Sequence, residues 1–459
     1  MEIEEETKCA VDVNMEEGEE NWVVDVKTEE EMKWVLDVKE KLGKVDTIKE
    51  AKHWKRRSIY KIPPGVTNLN KKAYNPQSVS LGPYHKGEVH LMQMEDHKYR
   101  AFLHLLKRSN KPVEIYVNEV KKVLPELMEA YESLDPKWEL DQNKFLELMI
   151  IDGCFMLEIL RTSTGISNDY ATNDPIFSHH GILHFMPHLK RDMLMLQNQL
   201  PMLLLERLVY VETGKEKKQL EDCLNKTILK FCWPSQRLPD IGPCLHVLDV
   251  YRKSLLQDPS KKKSRDLKPN TKESTGDIIR SATELHEAGI RFKVSKTRSL
   301  KGITFRGGVL SLPVVVVDDA TETTFLNLMA YERFHVGAGN EVTSYIFFMD
   351  NIIDSAKDVS LLHSNGIIQN AIGSDKAIAT LFNSLSKDVT LDPNSNLDMV
   401  HKKVNDYCKK KWNEWRANLI HTYFRNPWAI LSVVAAIFLM ALTIAQTVYT
   451  IYPFYHSSG

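Results

Sequence analysis

The chain has 459 residues, of which 43% are hydrophobic and 26% charged, and its formal net charge is −1. That make-up describes a folded protein with apolar material for a large core and excludes a highly charged, disordered chain. The neutral balance gives no global field toward nucleic acid, so no nucleic-acid partner is expected.

Residues 1–28 open acidic and read as a disordered N-terminus. Thr28 and Glu31 form a capping-box pattern ahead of Met32, Trp34, Val35, Val38 and Leu42, which predicts a helix over 29–42. A basic knot follows at Lys52, Lys55, Arg56 and Arg57, read as a solvated cluster. From Ile59 to Gly87 the chain is rich in Pro and Gly. Prolines disfavour helix and push the preceding residue toward extended shapes, so an ordered loop with short strands, packed on the core, is expected here.

Helical periods then dominate. Leu91, Met94, Tyr99, Phe102, Leu105 and Leu106 keep helical spacing as far as Lys107 and Arg108. The run Phe145–Leu160 is apolar almost all round, the mark of a buried helix. A similar run, Leu189–Tyr210, contains Pro201, which should kink or divide it. Residues 257–277 form a polar linker. The stretch Ile303–Val317 reads as a β-hairpin turning at Gly307-Gly308, with Pro313 favouring an edge. Helices are expected again over Thr324–Phe334, around Ile378–Leu385 with Ser374 and Asp375 as caps, and from Leu397 to Phe424.

No charged side chain occurs between Pro427 and Ile451. A helix of about 20 apolar residues crosses a bilayer core. Pro427, Trp428, Tyr449 and Ile451 mark the ends of this candidate anchor, with aromatic rings at headgroup level. Lys409, Lys410, Lys411, Arg416 and Arg425 precede it, and no Lys or Arg follows. That asymmetry places residues 1–425, with the helical domain 29–425, in the cytosol and the short tail 452–459 on the far side, the layout of a tail-anchored, single-pass protein. The lipid bilayer is thus one expected partner. Small residues at Ser432/Ala436 and Ala441/Ala445 would permit close helix contact in a homo-oligomer. The six cysteines, Cys154 among them, include no C-x-x-C pair, which fits a reducing compartment.

Read in order, Ile59-Tyr-Lys-Ile-Pro63, Tyr74-Asn-Pro76, Val79-Ser-Leu-Gly-Pro-Tyr-His85, Met94-Glu-Asp-His-Lys98, Asp152-Gly-Cys-Phe155, Asn198-Gln-Leu-Pro201 and the apolar C-terminal run closely resemble the plant family called domain of unknown function 247, or uncharacterised protein family 0481. The resemblance extends from about Trp34 to the C-terminus. It implies a plant protein with a mainly helical domain and a C-terminal membrane helix. With the hairpin read above, the expected fold is mainly α: a large helical domain, a small β-hairpin element and one C-terminal transmembrane helix. Some members are implicated in self-recognition between pollen and stigma in grasses, which suits a recognition protein. The family usually carries Glu before Asn-Gln-Leu-Pro, where this chain has Gln197.

Candidate chemistry is sparse. Asp152, in an apolar helix, needs a partner because a buried carboxylate is costly alone. It is read as a structural anchor, with general acid–base work as the alternative. Cys154 as a nucleophile would need a nearby base such as His85; a small buried Cys is the simpler reading. Gln197, Asn198 and Gln199 beside Pro201 are read as amides that satisfy the carbonyl the proline leaves unpaired. His180, His184 and His188 share a helical spacing that metal ligands use, but Gly181 and Pro187 interrupt it, so no metal site is assigned. No phosphate-loop, nucleophile-elbow or zincin motif occurs. The sequon Asn225-Lys-Thr227 is meaningful only in a lumen. The composite expectation is a membrane-anchored, non-enzymatic recognition or scaffolding protein that takes no cofactor and binds a protein partner. A hydrolase-like enzyme using Asp152, Cys154 and His85 is the alternative.

Overall fold

A computed structural model describes residues 29–68, 70–165, 169–233, 239–257, 279–387, 397–419 and 427–456. The acidic residues 1–28 and nearly all of the expected linker 257–277 lie outside these. The chain divides into two compact units, 1–55 and 56–459. The first holds the predicted helix, Glu29–Leu42, and most of a second, Thr47–Arg56. Asp46 accepts the amides of Ile48 and Lys49 at the start of the second helix. Lys41–Asp37 and Lys44–Glu40 pair one turn apart along the first helix and the turn after it.

The second unit is built around the helix Gln142–Ser163, where nearly every residue from Phe145 to Leu160 is buried. Its all-round apolarity leaves no face for solvent. Asp141 starts it by accepting the Lys144 amide at 3.1 Å. Gly153 lets the neighbouring helix Met202–Thr213 approach closely: a Cβ there would lie 2.5 Å from Leu208 Cδ1. The helix Glu95–Ser109 lies along the same central helix. It carries Glu95 and Asp96 in its first turn and Lys107 and Arg108 in its last, charges that complement its dipole. Asn110 closes it in the left-handed region at φ 51°.

The stretch 59–87 departs from expectation. Two short helices, Pro64–Thr67 and Lys71–Tyr74, occur where strands were predicted. Pro64 takes the first helical position, where its missing N–H costs nothing. The only extended pairing there among the described residues is one bridge, Ile59 to Tyr131. The segment does pack on the core, with Ile59, Tyr74, Val79 and Leu81 buried.

Pro201 divides the predicted 189–210 helix outright. The pieces are Met186–Met193 and Met202–Thr213, with Pro201 as the residue before the second.

The predicted hairpin forms only in part. β2 (Thr304–Arg306) and β3 (Val309–Leu312) pair antiparallel across Gly307 and Gly308, both at positive φ. β1 (Arg291–Val294) adds to β3 in parallel. Beyond Pro313, β4 (Val315–Val317) leaves for a second sheet and pairs in parallel with β5 (Ile368–Asn370). Pro313 interrupts the run because it has no N–H for a ladder.

The helices Thr321–Phe334 and Asp375–Leu385 form as expected, the latter capped by the Ser374 hydroxyl. The predicted 397–424 helix is two, Asp398–Cys408 and Lys411–Leu419. Its last residues and Asn426 lie outside the described set.

The chain's last helix is Pro427–His456. Within it Leu431–Ile451 is the one segment among the described residues long and apolar enough to cross a membrane, and none of its most apolar stretch is buried. Its 21 residues rise about 32 Å, against a bilayer core of about 30 Å. Thr443, Thr447 and Thr450 each donate their hydroxyl to the carbonyl four residues back, which hides polar groups inside the helix.

Candidate functional site

The signature residues converge on one buried polar clamp around residues 77–82. Asp192, on the helix Met186–Met193, accepts the amides of Gln77, Ser78 and Val79 at 2.9, 2.6 and 3.1 Å through one oxygen. Its other oxygen accepts from Arg191. Asn198 then works as a piece of β-strand backbone. Its Oδ1 accepts the Leu81 amide at 2.6 Å, and its Nδ2 donates to the carbonyls of Val79 and Asp192 at 3.0 Å each. Asp152 takes the next amide, that of Gly82, at 2.9 Å. Gly82 sits at φ +78°, and a Cβ there would lie 2.9 Å from Tyr131 Oη and 3.0 Å from the Gln199 carbonyl oxygen. Only glycine fits on both counts.

Asp152 is held in turn by Lys98, whose Nζ lies 2.7 Å from Oδ1. Lys98 Nζ is also 2.8 Å from Glu95 Oε1, and Glu95 reaches Lys86. Two ammonium and two carboxylate groups thus alternate from the half-buried Lys86 inward to the fully buried Lys98 and Asp152. Burial opposes the charge on Lys98, but Asp152 and Glu95 outweigh it and hold the ammonium above its ordinary value. Burial also raises Asp152, and Lys98 and the Gly82 amide only partly offset that. Burial pulls Glu95 the same way, but Lys98 and Lys86 prevail and hold it below the usual carboxylate range.

Gln199 ties the clamp to further elements. Its Nε2 donates to the carbonyls of Met193 and Met195 at 2.7 Å, and its Oε1 accepts the Leu248 amide at the start of the helix Val247–Leu256. His246 caps that same helix, accepting the Asp249 amide at Nδ1, 3.2 Å away. Its Nε2 faces the Ser58 carbonyl at 3.1 Å. That arrangement fixes a neutral ring with the proton on Nε2. Asn327 holds the other side, accepting from Leu196 and donating to the carbonyls of Ala73 and Thr323.

The partner that a buried Asp152 requires is Lys98, a residue the helical period alone marks. Lys98, Ala101, Phe102 and Leu105 fall on the buried face of one helix, so a lysine stands in a core register. The amides at 198 and 199 do bond carbonyls, but those of Val79, Asp192, Met193 and Met195 rather than one freed by Pro201. Gln197 is half-buried, and the clamp is complete without it.

Among the described residues no hydrogen bond or ion pair joins Asp152, Cys154 and His85 to one another. Two residues along a helix turn by about 200°, so Cys154 faces away from Asp152. Burial pushes the Cys154 thiol up, away from the thiolate a nucleophile needs. His85 Nδ1 lies 2.7 Å from Glu88.

The rings of His180 and His184 lie 4.4 Å apart on the short helix His179–His184, while His188 belongs to the next helix. Among the described residues no three His, Cys, Asp or Glu side chains are grouped to hold a metal ion. Asn225 is buried in the helix Lys217–Cys232 and donates to the Gly242 carbonyl at 2.7 Å, so the folded sequon presents no free acceptor. At the C-terminus, Pro427 opens the last helix, with Trp428 second, and Tyr449 is largely exposed with Ile451 half so.

Fold and site together define a helical domain whose signature side chains are spent on its own backbone, followed by one apolar helix. The chain belongs to the DUF247 family, described as plant protein of unknown function, which matches residues 59–442. UPF0481 protein At3g47200 of Arabidopsis thaliana is 31% identical over 422 residues, 85% of each chain. Putative UPF0481 protein At3g02645 of the same plant is 35% identical over 170 residues, 37% of this chain and 32% of its own. No solved structure matches.

Proposed function

We propose that the protein is a membrane-anchored recognition or scaffolding protein whose helical domain binds another protein without catalysis. The observation that carries this reading is the segment Leu431–Ile451, apolar, long enough to span and without burial against the domain. Exposed side chains all round this helix, among them Leu431, Ile437, Phe438 and Leu439, are costly in water and at home in lipid. The domain supports the second half. Asp152, Asn198 and Gln199 bond the backbone of 79–82, of Asp192–Met195 and of Leu248, and Cys154 is sealed in the core. The basic residues ahead of the helix favour a cytosolic domain. The small residues Ser432/Ala436 and Ala441/Ala445 offer a face for a second copy.

Carbonate extraction and a glycosylation reporter test the anchor. One acceptor is appended after Gly459 and another is engineered beside the exposed Val336, since Asn225 is internally bonded. Retention in the membrane with only the tail glycosylated is the expected result. Release by carbonate would overturn the anchor, and glycosylation near Val336 would put the domain in the lumen.

A further inference from the structure

We infer that the helix Lys411–Leu419 is a second membrane contact, a short surface helix that seats the folded domain on an anionic lipid headgroup layer. The inference rests on the anchor reading above and adds to it the part of the domain that touches lipid.

One face of this helix is fixed to the domain. Asn413 is buried and donates to the Tyr407 carbonyl at 2.8 Å, and Ala417, one turn on, packs against the core. Arg416 lies across Gly289, where a Cβ would come within 2.6 Å of its guanidinium. The other face carries two large rings in the open. Trp412 is 71% exposed and Trp415 57%, and the rings sit 5.5 Å apart at 40°. Residues i and i+3 share a helical face, so both rings point the same way, turned away from Asn413 and Ala417.

Tryptophan is the side chain best suited to the headgroup level, with an apolar body and one N–H. Charge selects the same occupant. Between 402 and 416 the chain carries Lys402, Lys403, Lys409, Lys410, Lys411 and Arg416 against Asp406 and Glu414 alone. A cationic cluster beside exposed indoles matches anionic phospholipid. Continuity of the chain points there too. Pro427 follows Leu419 by eight residues, so the apolar helix begins at most about 29 Å from the end of the Trp-bearing helix.

The test uses the full chain reconstituted in phosphatidylcholine vesicles, with and without phosphatidylserine, carrying bromine on the acyl chains as a short-range quencher. Trp412→Phe/Trp415→Phe is compared with the native chain. Both positions are exposed, so the variant should fold, and circular dichroism checks this. The emission lost between the two proteins isolates Trp412 and Trp415, while Trp428 reports the anchor. The expected result is that membrane-quenched emission falls to about one third in the variant, as two of three lipid-level indoles go. Quenching of the pair should also deepen with phosphatidylserine, and Lys409→Gln/Lys410→Gln/Lys411→Gln should abolish that dependence. If the variant is quenched as strongly as the native chain, the seat is refuted while the anchor stands. If neither protein is quenched, the anchor reading itself has failed. Quenching of the pair that ignores phosphatidylserine would overturn the anionic-lipid assignment.

Discussion

Lys98 Nζ stands 2.7 Å from Asp152 Oδ1, and neither side chain is exposed to solvent. Each charge is tolerable only because of the other. Lys98→Met or Asp152→Leu alone should therefore destabilise the domain by about 3–5 kcal/mol. The double variant should recover much of that loss, because it leaves no orphaned charge. Chemical denaturation of the three variants in one detergent gives the comparison. Additive losses would mean that the two side chains do not act as a pair.

Asn198 is matched to residues 79–81 through both a donor and an acceptor. Asn198→Asp keeps the shape and the acceptor but turns a donating end toward two carbonyls into a repelling one. A loss of about 2–3 kcal/mol is expected, the cost of buried groups left unpaired. Amide hydrogen exchange should rise first at Val79, Leu81 and Gly82. Uniform exchange across the domain, with no early opening of this segment, would contradict the clamp.

Burial drives His246 down to about 4, so the folded state binds no proton where the unfolded chain does. The unfolded ring titrates near 6.5. Stability from this ring is complete above pH 6.5 and is lost as pH falls from 6.5 to 4, by about 3 kcal/mol in all. His246→Asn keeps a cap and removes the titration. Its stability should be lower than native at pH 7 but should change far less between pH 7 and 4.5.

Glu206 has the opposite sign. Burial and the nearby Glu221 push it up to about 7, so its contribution is complete below the ordinary carboxylate value and is lost as pH rises through 7. Glu206→Gln should gain about 1 kcal/mol at pH 8, the shift being discounted for a half-exposed group. No gain is expected at pH 5. A melting-temperature series across this range reads both predictions.

Iodoacetamide at neutral pH separates the two functional readings. Cys223 is exposed and should alkylate in the folded protein, whereas buried Cys154 and Cys232 should react only after denaturation. Labelling of Cys154 at the rate of Cys223 would favour the enzyme reading.

Much of this architecture is legible from residue type and period alone. Phe145–Leu160 announces a buried helix because it has no polar face, and Ser374-Asp375 announces a start because the hydroxyl caps it. The C-terminal helix is plain from its lack of charge. What escapes is non-local. Nothing near Val315 says that it pairs with Ile368, a parallel partner with three helices between them. Nothing near Gln77 says that its amide, with the next two, points at Asp192. Pro63 and Pro64 mislead because proline is excluded from helix interiors but welcome at a helix start. Lys98 was within reach of the sequence: a lysine in a core register has to meet an acid, and the buried helix Gln142–Ser163 offers two in its core, Asp152 and Glu158.

The clamp also sets an order of events during synthesis. Leu81 and Asn198 are 117 residues apart, and Val79 and Asp192 are 113 apart. At about 5–20 residues per second, the ribosome needs roughly 6–23 s to deliver the second half of the clamp after the first. Throughout that interval the amides of Val79 and Leu81 lack their partners at Asp192 and Asn198, and a contact this distant in sequence forms slowly even afterwards. Variants at Asp192 or Asn198 should therefore show first as a lower yield of folded protein.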